Sequence, residues 1–335
     1  MTIRQMQEQR ELEYLSKYAA FSSKSKGREI EEEQCDIRPV YQRDRDRILH
    51  CKAFRRLKSK TQVFLTPVGD HYRTRLTHTL EVSQNARTIA KALRLNEELV
   101  EAIALGHDLG HTPFGHSGEQ ALNSICKLGF SHNKQSVRIV EKLEKKGAGL
   151  NLTWEVRDGI LNHQTAGNPH TLEGKIVRLS DKIAYINHDI DDAVRAKVLT
   201  EEDIPIEYRE ILGFSSRERL NTLIHDIVKN SYDKDDIVMS EFVSQAMSDL
   251  RAFMFERVYT NPLAKCEEGK AKHLLIELYE HYLNHIDVLP LEFIDLMNKG
   301  EPKERVVCDY IAGMSDQYAV TVFKNIYMPK QWLVY

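Results

Sequence analysis

Apolar residues recur every three or four positions along most of the 335-residue chain, a spacing that predicts amphipathic helices. One helix is expected after a loop over 66–77, where Pro67 and Gly69 interrupt the pattern. A second helix is expected after Asn96, a residue type that often caps helix starts. The inward face of this second helix ends at His107, and we therefore expect that histidine to be buried.

Helical spacing continues almost to the C-terminus. The further predicted helices cover 117–129, 133–145, 153–162, 172–196, 217–230, 240–259, 270–285, 291–297 and 303–326. Ser117 and Gln120 have the spacing of a capping box at the start of the first of these. Sixteen glycines and nine prolines are a smaller share than the usual total of about 12%, which favours long helices over short strands. The pattern therefore predicts an all-α fold.

The predicted organisation has three parts. A charged, helical N-terminal arm covers 1–34, a helical core covers 35–212, and a further helical region over 213–335 packs on that core. No stretch of eighteen apolar residues occurs, and the charged N-terminus lacks the apolar segment of a signal peptide. We therefore expect a soluble, cytoplasmic protein without membrane association. The five cysteines form no Cys-x-x-Cys pair, which disfavours a disulfide framework and a zinc ribbon.

The formal net charge is only −3, but the charge is unevenly distributed. Residues 43–60 contain eight basic and two acidic side chains. Such a segment is typical of chains that bind polyanions, because arginine and lysine neutralise phosphate groups. The distribution of charge therefore predicts a polyphosphate substrate or a nucleic-acid strand as a partner.

Histidines are concentrated in the middle of the chain, where nine of the fourteen lie between residues 71 and 188. The densest titratable group spans thirteen residues. It comprises His107, Asp108, His111, His116 and Glu119. Imidazole next to carboxylate suits Mn, Fe, Ni or Zn, and Mg less well. Two adjacent ligands are too few for a metal ion, and His78 and Asp181 are the expected additional ligands.

Two alternatives without a catalytic metal stay open for these residues. They could be buried histidines and carboxylates with ordinary hydrogen-bond partners, or a structural zinc site, although such sites usually include cysteine. Asp181, Tyr185 and Asp189 lie at positions i, i+4 and i+8 of one predicted helix, so they form a single polar stripe. A buried carboxylate in that stripe requires a partner. The chain contains no Walker motif, Gly-x-Ser-x-Gly elbow or His-Glu-x-x-His motif.

Three ordered motifs resemble those of the HD-domain metal-dependent phosphohydrolases, specifically the bacterial deoxyguanosine triphosphate triphosphohydrolase-like branch. They are RLTH at 75–78, HDLGHTPFGHSGE at 107–119 and LSDKIAYINHDIDDAVRA at 179–196. The segments 43–64 and 312–327 are similar to the N-terminal and C-terminal signatures of that branch. The resemblance extends over most of the chain, and the ordered set of motifs is far more specific than a single His-Asp pair.

This resemblance implies an HD-domain helical core with an additional helical C-terminal region and one divalent metal ion per subunit. The implied metal ligands are His78, His107, Asp108 and Asp181. The metal could be Mn, Fe, Ni, Zn or Mg, and Mg could also accompany the nucleotide. The implied reaction hydrolyses a deoxynucleoside triphosphate at the α-phosphorus and releases a deoxynucleoside and tripolyphosphate. The donor set agrees with this reaction, because a metal can polarise a phosphate oxygen and lower the pKa of bound water.

The resemblance also implies individual roles and an assembly state. In the catalytic set, His116 with Glu119 resembles a proton-handling pair, and His111 and His132 resemble contacts to the α-phosphate or the leaving group. In the substrate-binding set, Arg75 and Lys182 resemble phosphate contacts, Gln62 a contact to the sugar 3′-hydroxyl, and Tyr185 with Asp189 the wall against which deoxyribose packs. The general acid among the three histidines is left open. Relatives of this kind form symmetric homo-oligomers, and we expect one here.

Two other functions stay open. Another HD phosphohydrolase, acting on a cyclic nucleotide, guanosine tetraphosphate or a nucleoside monophosphate, would share the metal ligands but need fewer basic residues. A nucleic-acid-binding module with a vestigial metal site would bind single strands through the basic segment. The complete set of catalytic residues and the lack of a helix-turn-helix signature favour the triphosphohydrolase. The sequence does not indicate which base is preferred or whether a second nucleotide regulates the protein.

Overall fold

The computed structural model describes residues 1–62, 73–259 and 262–330. Within these ranges the chain is all-α, as predicted, and its β-type pairing is limited to one isolated antiparallel bridge between Thr61 and Thr74. None of the described helices combines the length and the hydrophobicity that crossing a bilayer would require.

The helices are numbered in chain order. Their bounds are Ile3–Tyr14 (α1), Val40–Leu49 (α2), Lys52–Arg56 (α3), Arg75–Ala92 (α4), Glu97–Gly106 (α5), Gly115–Ile125 (α6), His132–Arg138 (α7), Glu144–Gly147 (α8), Trp154–Leu161 (α9), Leu172–Arg195 (α10), Ile206–Leu212 (α11), Ser216–Ser231 (α12), Glu241–Met254 (α13), Pro262–Asn284 (α14), Leu291–Asn298 (α15), Lys303–Ala312 (α16) and Asp316–Tyr327 (α17). Short 3-10 and π turns connect several of them.

The predicted cap of α5 is confirmed, since the Asn96 side chain accepts a hydrogen bond from the backbone of Leu99 at 3.2 Å. Other boundaries differ from the prediction. The helix predicted over 303–326 is the pair α16 and α17, because the Ser315 side chain caps a new helix. The spacing does not predict the short helix α11. Most of the predicted loop over 66–77 lies outside the described residues, and α4 already begins within it.

The start of α6 depends on a distant side chain. The predicted capping box at Ser117 is wrong, because α6 begins at Gly115 after a left-handed Phe114 (φ 62°) whose side chain makes no capping hydrogen bond. The backbone N–H of Phe114 donates to Asp316 at 3.0 Å, and Asp316 also accepts from the backbone N–H of Thr61 at 2.9 Å. The first residue of α17 therefore holds the start of α6 and the chain before α4.

Buried apolar side chains form two clusters. The larger one joins α2, α4, α5, α9 and α10 with α12 and α13, and the smaller one joins α6 with α14, α16 and α17. Each fully buried residue of this kind, such as Ile103 or Ile183, stabilises the fold by about 1.5–3 kcal/mol. His107 at the end of α5 is also fully buried, as predicted. The division of the chain at residues 34/35 and 212/213 remains a prediction.

A close backbone contact holds the turn after α5 against α7. The N–H of Gly110 donates to the Ser136 hydroxyl at 2.8 Å, and that hydroxyl donates to the carbonyl oxygen of His107 at 2.7 Å. A Cβ at position 110 would lie 2.2 Å from the backbone nitrogen of Ser136, so only glycine fits here. This contact places His132, the first residue of α7, beside the turn.

Lys60 is a buried amine between this turn and the C-terminal region. It is 2% exposed, and its Nζ donates to the carbonyl oxygens of His111 and, at 2.8 Å, of Ala312. Burial, and then the positive charge of Arg56, lower the pKa of Lys60 from its ordinary 10.5 to about 7.

We expect the parent protein to gain stability relative to Lys60→Met as the pH rises from about 7 to about 10. In this window the unfolded chain retains the Lys60 proton while the folded chain releases it, so a rise in pH favours folding. The gain in the free energy of unfolding should reach up to about 1.4 kcal/mol per pH unit. Urea denaturation of both proteins at several pH values measures the difference, and pH profiles that run parallel would contradict the assigned environment of Lys60.

Candidate active site

Four side chains converge on one buried point. His78 comes from α4, His107 and Asp108 from the end of α5 and the following turn, and Asp181 from α10. The Nε2 atoms of His78 and His107 lie 3.1 and 3.6 Å from the same Oδ1 of Asp181. Nε2 of His107 is also 3.4 Å from Oδ1 of Asp108. Separations of this size suit ligand atoms that share one metal ion about 2.0–2.2 Å away.

The protonation pattern of His107 also fits a metal ion. Its Nδ1 lies 2.6 Å from the carbonyl oxygen of Ala104. Because that oxygen can only accept, Nδ1 carries a proton, and in the neutral ring, the form that binds a metal ion, Nε2 keeps a lone pair. This Nε2 is buried and has no hydrogen-bond partner among the described residues. An unsatisfied buried lone pair is costly, and a bound cation would satisfy it. The donor set therefore fits a divalent metal ion that accepts nitrogen and oxygen ligands.

The charges at this point favour bound cations. Burial would raise the pKa of Asp108 and Asp181, but nearby histidines outweigh burial and hold both pKa values well below the ordinary range. Burial would lower the pKa of His107, yet the two carboxylates raise it to about 9. In the metal-free protein a proton on His107 thus balances part of the negative charge of the two carboxylates, and a divalent cation would take over that role by displacing the proton.

Arg75, predicted as a phosphate contact, lies against this centre. Its Nη1 donates to Oδ2 of Asp108 at 2.8 Å, while Nε and Nη2 have no hydrogen-bond partner among the described residues. A Cβ at Gly115, where φ is +57°, would lie 3.0 Å from Nη2 of Arg75. The glycine therefore leaves room for the guanidinium group.

The four predicted catalytic residues lie together beside the metal-ligand candidates. The rings of His111 and His132 stack with centroids 3.9 Å apart, and Nε2 of His111 is 3.3 Å from Asp108. The Glu119 carboxylate is shared, since it lies 2.9 Å from Nδ1 of His132 and 3.4 Å from Nδ1 of His116. Glu119 is therefore closer to His132 than to its predicted partner His116.

These four residues differ in charge and exposure. Burial, followed by the positive charges of Arg75 and His132, lowers the pKa of His111 well below the ordinary value. Burial would raise the pKa of Glu119, but hydrogen bonds to His116 and His132 lower it. Glu119 is thus an ionised acceptor. The side chain of His116 is 57% exposed, which makes it the member of the set most open to solvent.

Two further histidines of the site, His163 and His188, are not predicted from the sequence. Nε2 of His163 lies 3.2 Å from Nε2 of His132, and burial, then His107 and His132, lower the pKa of His163 to about 4. Nδ1 of His188 lies 3.2 Å from Nδ1 of His78. No local motif surrounds His163, and only the regional excess of histidines could have indicated it.

A cavity of about 530 Å³ opens onto both groups, a size typical of small-molecule sites. Four of the five predicted substrate contacts line it: Gln62, Arg75, Lys182 and Tyr185. Asp189 does not line it; this carboxyl is fully buried in contact with Tyr185, and burial followed by Asp192 raises its pKa. Helix α13, which was not predicted to belong to the site, contributes Ser244, Met247, Ser248 and Arg251.

No residue of the basic segment 43–60 is among those that line this cavity, so the charge of this segment does not border the site. Arg43 and Arg47 both pair with Glu32, and Arg45 pairs with Glu98 at 2.8 Å. These arginines connect α2 to the N-terminal arm and to α5. Positive charge at the cavity comes instead from residues on α4, α10 and α13.

Two family models match the chain. The HD domain matches residues 75–186, and the phosphohydrolase-associated domain matches residues 237–325. The first range contains all four predicted metal ligands.

Similar proteins from bacteria match nearly the whole chain. A deoxyguanosinetriphosphate triphosphohydrolase-like protein of Caldanaerobacter subterraneus is 57% identical over 332 residues, which cover 99% of this chain and 98% of the relative. A protein of the same description from Desulfatibacillum aliphaticivorans is 48% identical, and the match covers 98% of this chain and 99% of that relative. A solved phosphohydrolase of Bacteroides thetaiotaomicron has the same fold, with a TM-score of 0.53 and 21% sequence identity. The match covers 84% of this chain and 68% of the Bacteroides chain. The chain belongs to the deoxyguanosine triphosphate triphosphohydrolase-like family of HD-domain phosphohydrolases.

Proposed function

We propose that this phosphohydrolase cleaves deoxynucleoside triphosphates at the α-phosphorus and releases a deoxynucleoside and tripolyphosphate. The observation that carries the proposal is that a convergent His-Asp donor set and the cations Arg75 and Lys182 border one cavity of nucleotide size. The descriptions of the relatives agree with this substrate class.

His78, His107, Asp108 and Asp181 would hold one divalent ion, with Mn, Fe, Ni, Zn and Mg as candidates. When bound, such an ion supplies a polarised phosphate oxygen and a water of lowered pKa. Arg75 fixes Asp108 through their 2.8 Å hydrogen bond, and Ala104 fixes His107. The donor groups are thus organised by their own neighbours, as an effective metal site requires.

In the proposed reaction a water oxygen bonds to the α-phosphorus and the bond from phosphorus to the sugar 5′-oxygen breaks. The water loses a proton and the leaving 5′-oxygen gains one. His116, Glu119 and His132 form a hydrogen-bonded group with these abilities, because imidazoles next to a carboxylate can move protons near neutral pH. We assign proton transfer to this group, with His116 on its solvent side, and contacts to the α-phosphate to His111 and His132.

Three cationic groups would bind the triphosphate, namely Arg75, Lys182 and Arg251. Burial, followed by the positive charges of Arg178 and Arg251, lowers the pKa of Lys182. A polyphosphate anion would relieve this repulsion between like charges. The phosphate-binding charge is therefore assigned to these cavity residues and not to the basic segment 43–60.

The sugar would lie beside Gln62 and Tyr185. The buried Oε1 of Gln62 has no hydrogen-bond partner among the described residues, so it can accept from a sugar hydroxyl. Tyr185 would pack against deoxyribose, and Asp189 would support Tyr185 from the interior. A homo-oligomeric state and single-stranded nucleic acid as a further partner remain parts of the proposal that rest on the family resemblance.

The direct test is incubation of the metal-loaded protein with each of the four deoxynucleoside triphosphates, singly and mixed, with chromatographic analysis of the products. We expect tripolyphosphate and deoxynucleoside in equal amounts, and the comparison among bases gives the preference. Orthophosphate or pyrophosphate as the sole phosphate product would refute cleavage at the α-phosphorus. Hydrolysis confined to a cyclic nucleotide or guanosine tetraphosphate would favour the other HD phosphohydrolase reactions.

A further inference from the structure

His78 has a second polar contact on the side opposite the donor set. Its Nε2 points toward Asp181 at 3.1 Å, while its Nδ1 lies 3.2 Å from Nδ1 of His188. His188 comes from α10, is 5% exposed, and forms a close contact through its Nε2 with the carboxylate of Glu81 on α4. Arg73 pairs in turn with Glu81 at 3.2 Å. A continuous chain of polar contacts therefore leads from His78 to the protein surface.

The chemistry of each partner sets the direction of these hydrogen bonds. The Glu81 carboxylate can only accept, so Nε2 of His188 carries a proton and donates it. In a neutral His188, Nδ1 is then the acceptor. The facing Nδ1 of His78 must then donate to Nδ1 of His188. This leaves Nε2 of His78 either to donate to Asp181, at 3.1 Å, or, when a cation takes the place of that proton, to offer its lone pair as a ligand.

We propose that His188 and Glu81 are positioning residues that hold His78 in the tautomer able to bind a metal ion. This inference rests on the metal site of the proposed function. His107 reaches the same tautomer through a backbone carbonyl, that of Ala104 at 2.6 Å. Because Nδ1 of His78 faces a side chain instead, its orientation depends on residues that can be changed one at a time.

The contact is suited to this role because it lies outside the cavity. His188 and Glu81 do not line the cavity, whereas His78 does. A change at either residue therefore leaves the proposed substrate contacts in place. Outer partners of this kind typically change metal affinity by about 10-fold to 100-fold when they are removed.

The test compares Mn²⁺ binding to the metal-free full-length parent, His188→Phe and His188→Asn, with free Mn²⁺ measured by electron paramagnetic resonance. Phenylalanine keeps a ring of similar shape but no acceptor, and asparagine places an acceptor oxygen near the position of Nδ1. We expect Mn²⁺ affinity to fall about 10-fold to 100-fold in His188→Phe and to be largely restored in His188→Asn. His225→Phe, a change of an exposed histidine on α12, is the matched control and should bind like the parent.

Parent-like Mn²⁺ affinity in a folded His188→Phe protein would overturn the proposal. Equal losses of Mn²⁺ affinity in His188→Phe and His188→Asn would overturn it too, because the packing of the ring and not its acceptor nitrogen would then determine metal binding. If His188→Phe does not fold, ¹⁵N NMR of the His78 ring in the parent decides: a proton on Nδ1 supports the proposal and a proton on Nε2 alone overturns it. No nucleotide is present in either measurement. Failure here would therefore be distinct from failure to detect tripolyphosphate.

Discussion

The Asp181→Asn variant is expected to lose both its metal ion and its nucleotide hydrolysis. Oδ1 of Asp181 lies close to the Nε2 atoms of both His78 and His107, at 3.1 and 3.6 Å. An amide in its place removes a negative charge and a strong ligand from the donor set. A metal ion supplies several kcal/mol of transition-state stabilisation, and at 1.36 kcal/mol per tenfold in rate its loss corresponds to about 10³-fold or more.

Metal content after dialysis, measured by mass spectrometry, and release of tripolyphosphate are the two readouts for Asp181→Asn. The matched control is Asp236→Asn, which removes a half-exposed carboxylate that pairs with Lys175 outside the cavity. The control should keep both metal and activity. An Asp181→Asn protein with the metal content and turnover of the parent would remove Asp181 from the ligand set.

The His116→Ala variant should keep its metal ion and lose most of its turnover. Its side chain is 57% exposed and contacts Glu119 at 3.4 Å. Within the described part of the chain, no hydrogen bond or ion pair joins it to the donor atoms of the metal-ligand candidates. Loss of a general acid or base typically lowers the rate by about 10²-fold to 10⁴-fold. The fall should therefore appear in kcat, at unchanged metal content.

The control for this variant is His170→Ala, an exposed histidine that contacts Trp154 away from the cavity. Both proteins are assayed at saturating metal and nucleotide, and their metal contents are compared with the parent. Turnover of His116→Ala equal to that of the parent would show that the proton-transfer role belongs elsewhere in the group. A parallel loss of metal would instead place His116 among the residues that support the ligands.

Helical periodicity predicts much of the architecture because it depends on local spacing. It places His107 on the buried side of α5 and puts Asp181 and Tyr185 on one stripe of α10, as the structure has them. Periodicity does not predict the start of α6. Phe114 takes a left-handed conformation there, and its backbone N–H is satisfied by Asp316, a residue 202 positions away.

The charge composition of a segment predicts the site less well than the helical spacing of individual residues does. The charge of segment 43–60 suggests a phosphate-binding surface, but the carboxylates of Glu32 and Glu98 lie opposite its arginines. Such pairing depends on tertiary structure and cannot be deduced from a local count of charges. His163 is overlooked for a related reason, since its neighbours in sequence form no motif and its contact with His132 is made only in the fold.

The hydrogen bonds of Asp316 have a consequence for cooperativity. If α17 opened locally, the amides of Phe114 and Thr61 would lose their acceptor, and the left-handed turn before α6 would lose part of its support. Helix α6 carries His116 and Glu119. Native-state fluctuations of the C-terminal helix would therefore disturb the catalytic group directly, so that α6 and α17 belong to one cooperative unit.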